Sequence, residues 1–308
     1  MRKIFFLCVL CASVLTANAT EGALNGKFTI NSSGDQIVFS KGNLQYVGTW
    51  QFAENQWDVI GYAQADDNRD LFGWGTGDAP NKISTDENDY ADFTDWGTNA
   101  ITNGGNEANA WRTLTSDEWN YLFYTRENAA TLFALGSVNG VNGTILLPDN
   151  WELPEGASFT ASTTQGLADK GYYYQDVNNG HYTDNTYTLE QWAVMESAGA
   201  VFLPAAGYSY GTDVYAVGSY GYYWSATPYD TDDDAYLLFF HSSNLNPQDS
   251  FYRNNGRSVR LVQAAPENAT GIERVENAGF RAQKVVRDGQ LVIIRDGKMF
   301  NALGAEVQ

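Results

Sequence analysis

Hydrophobic and polar positions alternate most regularly late in the chain, between residues 218 and 262. Three runs of aromatic and β-branched residues stand there, YYWSAT, AYLLFFH and SVRLVQ, each bounded by Gly, Asn, Asp or Pro. This is the pattern of strands joined by surface loops. The connecting loops are then 228–234 and 242–257, rich in Asp, Asn, Ser, Tyr and Arg, side chains that hydrogen-bond or stack on a ligand at small entropic cost. Upstream, KFTI (27–30) and QIVFS (36–40) flank NSSGD and predict a hairpin. The β character continues through NLQYVGTWQFAENQWDVIG, with Trp50, Phe52 and Trp57 assigned to the core. From 63 to 109 the periodicity dissolves into Gly, Asn, Asp and Thr, and the stretch reads as a long Ω-like loop. Compact domains keep loops of that length where they bind something or are disordered. Trp74 and Trp96 favour order, since disordered tracts carry few aromatics.

Two helices are marked by their starts. Thr115 is followed three residues later by Glu118, and Thr188 by Gln191, each a capping-box spacing. Trp119, Leu122 and Phe123 form the apolar stripe of the first helix, Trp192 and Met195 that of the second. Each helix precedes an apolar run ending in Leu-Pro, at 145–148 and 202–204, and Gly199 supplies a stop for the second. Two helices packed on a curled, mainly antiparallel sheet with long loops make an α+β domain. Between the helices, YYYQDVNNGHY (172–182) holds three consecutive tyrosines, which cannot all face inward in a strand, where side chains alternate faces. At least one is then exposed, and the segment reads as an edge strand with one tyrosine filling a core gap. After AAPENATG, a linker, two Asp-Gly pairs at 288–289 and 296–297 predict tight hairpin turns and a three-stranded meander. The expected division is 1–19, 20–263, a linker over 264–270, and a β segment over 271–308.

Composition narrows the function classes. Residues 1–19 have a basic start at Arg2 and Lys3, an apolar middle and a small-x-small end at Ala17 and Ala19, the pattern of a cleaved secretory signal peptide. Cys8 and Cys11 lie inside it, so the mature chain carries no thiol, no disulfide and no cysteine mechanism. Its stability must come from a core, which about 240 residues are long enough to build. The chain has 18 basic and 37 acidic residues; without Arg2 and Lys3 this is 16 against 37, a net charge of −21. Residues 264–308 hold six of each sign, so the body carries the whole excess. Such a surface repels phosphate backbones and anionic headgroups, which argues against nucleic-acid binding and membrane insertion and leaves neutral or cationic ligands.

Catalytic chemistry finds little footing. His181 and His241 are the only histidines and have no H-E-x-x-H spacing, which argues against zinc. Ser219 and Ser225 stand in no nucleophile elbow. A glycoside hydrolase needs only two carboxylates, which 31 acidic residues in the body supply by chance. No cofactor is expected, with calcium the one candidate. Asp230, Asp232 and Asp234 have the spacing of the first three EF-hand ligands, but Ala235 and His241 stand where the glycine and bidentate glutamate belong. An irregular oxygen site from Asp230, Asp232, Asp233 and Asp234, or from Asp66, Asp67 and Asp70, is the remaining calcium arrangement, against a solvated acidic loop.

The run YWSAT, AYLLFF and G-x-SVRLV, together with FSKGNLQY (39–46), FAENQWDVIG (52–61), DLFGWG (70–75), WRTLTSDEW (111–119), ILLPDNW (145–151) and VFLPAAGY (201–208), resembles the bacterial C-type-lectin-like fold over roughly residues 25–263. That group includes the formylglycine-generating-enzyme-like and Fibrobacter-type paralogous domains of Bacteroidetes. The formylglycine-generating enzymes use cysteine, so their activity is excluded here, and the Glu-Pro-Asn and Gln-Pro-Asp motifs of calcium-dependent sugar binding are missing. The tail resembles C-terminal sorting segments of type IX secretion, which implies the secretion machinery as a partner and an outer-membrane or released location in a Gram-negative bacterium.

The resemblance implies a non-catalytic recognition domain for a glycan or protein, its ligand surface on the closing strands and loops. By position the candidates are Tyr222, Tyr223, Ser225, Thr227, Tyr229, Asp230, His241, Tyr252, Arg253, Asn254 and Asn255, with Trp224 in the core. Aromatic rings would stack on the ligand while Asp, Asn and Arg supply directional hydrogen bonds. The rival readings are a glycoside hydrolase using a carboxylate pair and a structural fimbrial or surface-layer component.

Overall fold

A computed structural model describes residues 21–164, 175–178, 181–230 and 233–266, then the strands 282–287, 290–295, 298–301 and 306–307; for 163–164, 175–178 and the strands after 266 it describes the backbone. The expected signal peptide, Tyr172, Tyr173, Tyr174, Asp232 and linker residues 267–270 lie outside the described residues. The chain divides into two compact units, Met1–Ala265 and Pro266–Gln308.

The first unit runs β1 (Phe28–Thr29), β2 (Gln36–Phe39), β3 (Leu44–Tyr46), β4 (Trp50–Phe52), α1 (Ser116–Asn120), β5 (Phe133–Val138), β6 (Val141–Leu146), β7 (Thr163–Thr164) and β8 (Gln175–Asn178). It continues β9 (Thr186–Tyr187), α2 (Leu189–Ser197), β10 (Val201–Pro204), β11 (Tyr208–Tyr210), β12 (Asp213–Tyr215), β13 (Gly221–Pro228), β14 (Asp234–His241), β15 (Asn244–Tyr252), β16 (Asn255–Gly256) and β17 (Val262–Ala264). The class is α+β, with mainly antiparallel pairing and, among the described residues, no closed barrel. The two largest sheets have the orders β13-β14-β15-β8-β7 and β10-β6-β5-β9, while β17 pairs with β2 and so brings the two ends of the body together.

Both helices start where the caps place them. The Thr115 hydroxyl accepts the Glu118 N–H, and the Glu118 carboxylate accepts the Thr115 N–H (2.8 Å) while gripping Arg112 through two 2.7 Å hydrogen bonds. Thr188 and Gln191 form the same reciprocal pair at α2. The helix begun by α1 widens after Asn120 into a π turn over Tyr121–Thr125, which keeps Leu122 and Phe123 inward. The expected single sheet is several, and the first helix touches both large ones, its Phe123 meeting Phe133 of β5 at 5.4 Å. Trp119 of α1 packs with Tyr223, Leu238 and Phe240 of the five-stranded sheet, whereas Trp192 and Met195 of α2 pack with Ile145 and Phe202 of the four-stranded sheet.

The five-stranded sheet is buried on both faces over β13 and β14. Tyr223, Leu238, Phe240 and Leu245 point to a core shared with α1, the β1-β2 hairpin and the inner face of the four-stranded sheet. Tyr222, Trp224, Leu237 and Phe239 point to a second core closed by Phe72, Trp74, Trp96 and Trp111. The long loop is therefore a wall of the molecule, held without strands by Trp74 Nε1 donating to the Ser225 carbonyl (2.9 Å) and Trp224 Nε1 donating to that of Phe72 (2.7 Å).

One loop expectation is overturned. Most of 242–257, read as a binding loop, is the nine-residue strand β15, and only Val262 onward of the SVRLVQ run is strand. Asn, Pro, Gln and Asp hide β15 from any propensity argument. Its register absorbs them: Leu237 faces Asp249 and Phe239 faces Asn246, so Pro247 and Gln248 together stand opposite Leu238 in a bulge, where a proline costs no ladder hydrogen bond.

The second unit is a sheet of β18 (Ala282–Arg287), β19 (Gln290–Arg295), β20 (Lys298–Asn301) and β21 (Glu306–Val307), one strand more than expected. Arg287 pairs with Gln290 and Arg295 with Lys298, leaving the two Asp-Gly dipeptides between the strands.

Two carboxylates, the half-buried Asp149 and the buried Asp70, give testable consequences. Asp149 accepts from Thr29 N–H (2.7 Å), Thr29 Oγ1 (2.7 Å), Gln36 Nε2 (3.0 Å) and Arg126 Nη1 (3.0 Å), so one side chain ties β1, β2 and the end of the first helix to the exit of β6. Removing one partner strands a buried charge, and Asp149→Ala should cost ~3–5 kcal/mol in denaturant unfolding; a loss below ~1 kcal/mol would contradict the role.

Asp70 is fully buried, and desolvation raises its pKa from 3.8 to about 6 although the Ile60 N–H (2.7 Å) and the Gln64 amide donate to it. Between those values the folded chain keeps a proton that the unfolded chain has released. Its contribution is thus complete below 3.8 and lost as pH rises through about 6. The stability of the wild type relative to Asp70→Asn should fall by up to ~3 kcal/mol between pH 4 and 7; a flat difference would refute the assignment.

Candidate functional site

The sequence-predicted candidates separate into four groups. Tyr223 and Ser225 are interior. The Tyr223 hydroxyl donates to the Pro204 carbonyl (2.8 Å) and accepts from Asn43 Nδ2 (3.1 Å), and Ser225 Oγ donates to the Tyr236 carbonyl (2.8 Å). Thr227 Oγ1 accepts the Ser116 N–H (3.1 Å) at the start of α1. These three serve packing and capping, and alternation in β13 is the reason: every second side chain faces the α1 core.

Arg253 and Asn254 are also buried, and both contact the long loop. Arg253 lies over the Trp74 ring at 4.6 Å and donates from Nε to the Asp234 carbonyl (2.8 Å), and Asn254 Nδ2 donates to the Thr85 carbonyl (2.8 Å). Asn255 pairs with Tyr210 across β11 and β16. A third group stays outside: Tyr229 is half-buried against Tyr236 at 5.0 Å, Asp230 is exposed, and Tyr252 is 53% exposed.

Only Tyr222 and His241 join a larger assembly. Tyr222 stacks on Phe239 (4.9 Å, 28°) and meets Phe251 (5.5 Å), Tyr220 (6.2 Å) and Tyr208 (5.7 Å) edge-on. Tyr208 stacks on Tyr215 (5.3 Å, 25°), and His241 lies 5.5 Å from both Tyr220 and Phe239. The ladder runs from the buried second core at Phe239 to solvent at Tyr215 and Tyr220.

Its inner end holds a charge. The Arg257 guanidinium is buried over Tyr222 (4.1 Å), Phe251 (4.7 Å), Trp224 (5.3 Å) and Tyr208 (5.6 Å), a cation set among four aromatic rings. Desolvation lowers its pKa to about 10, opposed by Tyr222 and by Asp249. Its Nε and Nη1 have no hydrogen-bond partner, and among the described residues no carboxylate reaches ion-pair distance. Asp249 Oδ2 and Asp234 Oδ1 are likewise without partners, and burial raises the pKa of both carboxyls against the pull of Arg257. A cation and two carboxyls thus attract across a gap without closing it.

Tyr208, Tyr215, Tyr220 and Phe239 lie outside the predicted loops, while Asp249, Phe251 and Arg257 lie within 242–257 but are not among the sequence-predicted candidates. The tyrosine spacing in YSYGTDVYAVGSYGYY (208–223) is the signal that could have found the first three. Among the described residues no three His, Cys, Asp or Glu side chains gather as metal ligands. Asp70 of the second calcium set is buried under its own hydrogen bonds, and Asp232 of the first is not described. No helix among the described residues is long and apolar enough to cross a membrane.

Comparison with curated proteins and with solved structures gives no significant match. One family model, Domain of unknown function (DUF8237), matches residues 156–262, about a third of the chain, and this stretch contains the whole ladder together with Asp234, Asp249 and Arg257.

Proposed function

We propose that this chain is a secreted or surface-held, non-catalytic recognition protein whose body has a C-type-lectin-like fold and binds a glycan or protein. The observation that carries the reading is the aromatic ladder, whose rings are fixed on one another at the inner end and exposed at the outer end. A preformed aromatic surface with a few convergent polar groups is how compact ligand sites are built. Fixed rings bind at little cost in lost rotamer freedom. The C-type-lectin-like reading draws support from two helices, mainly antiparallel sheets, a long strand-free loop packed as a wall, and pairing of the first and last parts of the body. The four-stranded tail fits a segment read by type IX secretion machinery, and the leader fits export.

A second reading, glycoside hydrolysis, is favoured by one observation. Burial raises the pKa of both Asp234 and Asp249 beside an aromatic surface, and the charge of Asp234 adds to the rise at Asp249, as a general acid requires. The two readings separate in one experiment on the full chain, incubated with a panel of oligosaccharides while binding and new reducing ends are followed together. Recognition predicts saturable binding with no product. Product release abolished by Asp249→Asn would establish the hydrolase instead.

A further inference from the structure

Resting on the recognition reading, the geometry points to the β11-β12 hairpin and the entry to β13 as the contact surface, with Tyr210, Tyr215 and Tyr220 as its rings and an uncharged oligosaccharide as its ligand. In the hairpin Tyr208 pairs with Tyr215 and Tyr210 with Asp213, so these four side chains share one face. Tyr215 is backed by Tyr208, which is backed by Tyr222; Tyr220 is backed by Tyr222, Phe239 and His241. The outer rings are nevertheless open to solvent, with Tyr210 46%, Tyr215 42% and Tyr220 40% exposed.

The backbone fixes the two halves of this surface to each other. Gly207, at φ +75°, donates its N–H to the Tyr220 carbonyl (2.8 Å), and a Cβ there would stand 2.1 Å from the Tyr215 carbonyl oxygen. A side chain at this position would push the hairpin away from β13, so Tyr215 and Tyr220 keep their relative positions only because residue 207 has none.

The chemistry around the rings selects the ligand class. The large exposed aliphatic side chains, Leu153, Leu189 and Val194, lie on other segments. What the patch offers is ring faces and phenol hydroxyls. Three rings among polar groups fall well short of the ~800 Å² per partner that a stable protein interface buries. A pyranose, by contrast, offers C–H faces that stack on aromatic rings and hydroxyls that pair with polar tips. Exposed Asp213 sits among the rings and accepts from the Tyr215 hydroxyl at 3.5 Å, placing a negative charge where an acidic sugar would have to dock. The net charge of the chain, −19, acts in the same direction at longer range.

The test is affinity electrophoresis of the full chain in gels containing dextran, mannan, xylan or galactomannan, with heparin and polygalacturonate as anionic counterparts. Retardation is expected in at least one neutral gel and in neither anionic gel. Tyr215→Ala with Tyr220→Ala should weaken it by tenfold or more, with near-UV circular dichroism confirming the fold. Tyr252→Ala, an exposed tyrosine outside the ladder, should leave it unchanged. Retardation that survives the double substitution, or that occurs only with the anionic polymers, overturns the assignment. So does absence of retardation in every neutral gel; if a peptide library then binds through the same tyrosines, the ligand class fails while the recognition reading stands. Degradation of the retarding polymer would sink recognition itself.

Discussion

A sheet buried on both faces governs this molecule. Because side chains alternate along a strand, β13 and β14 must satisfy two cores at once, and their near-continuous apolar sequence reflects that demand. One face meets α1 and the β1-β2 hairpin. The other meets the small β3-β4 sheet through Leu44, Trp50 and Phe52, and the stretch between 63 and 109 fills the remaining space with tryptophan, phenylalanine and tightly turned backbone. A length of chain with almost no regular structure is therefore as much a part of the core as any strand.

The interior of this acidic protein also holds arginines. Arg126, Arg257 and Arg260 are each almost fully enclosed, and the polar surroundings differ. Arg126 is met by Asp149 and two backbone carbonyls, and Arg260 by the amide oxygens of Asn43 and Gln56. Arg257 is met chiefly by ring faces. Aromatic quadrupoles stabilise a cation without binding its N–H groups in fixed directions, so this guanidinium keeps two donors without partners next to two carboxyls in the same condition. Packed ring against ring from that point outward, the tyrosines reach the surface already oriented.

This changes what kind of surface recognition would use. A ligand meeting loops must order them, at a cost of conformational entropy. A ligand meeting β11, β12 and the start of β13 meets rings held by strand pairing and by one another. On the proposed reading, exposed Asp213 beside them would make the surface select by sign of charge as well as by shape.

The sequence alone determined what short-range physics controls. Both helix starts follow from Thr-x-x-Glu and Thr-x-x-Gln, since a capping box is closed by residues three apart. The β1-β2 hairpin, β13, β14, the core position of Trp224 and the stop at Gly199 (φ +99°) were legible for the same reason. The tertiary structure decided what depends on distant partners: that the two helices pack into different cores, and that the polar run from Asn244 to Tyr252 is a strand because Pro247 falls in a bulge. It also decided which tyrosines are free to act. Tyr222 and Tyr223 are adjacent and chemically identical, yet one joins the ladder and the other is locked into the α1 core by Asn43 and Pro204. Only the register of β13 against its neighbours, set by side chains far away in the chain, distinguishes them.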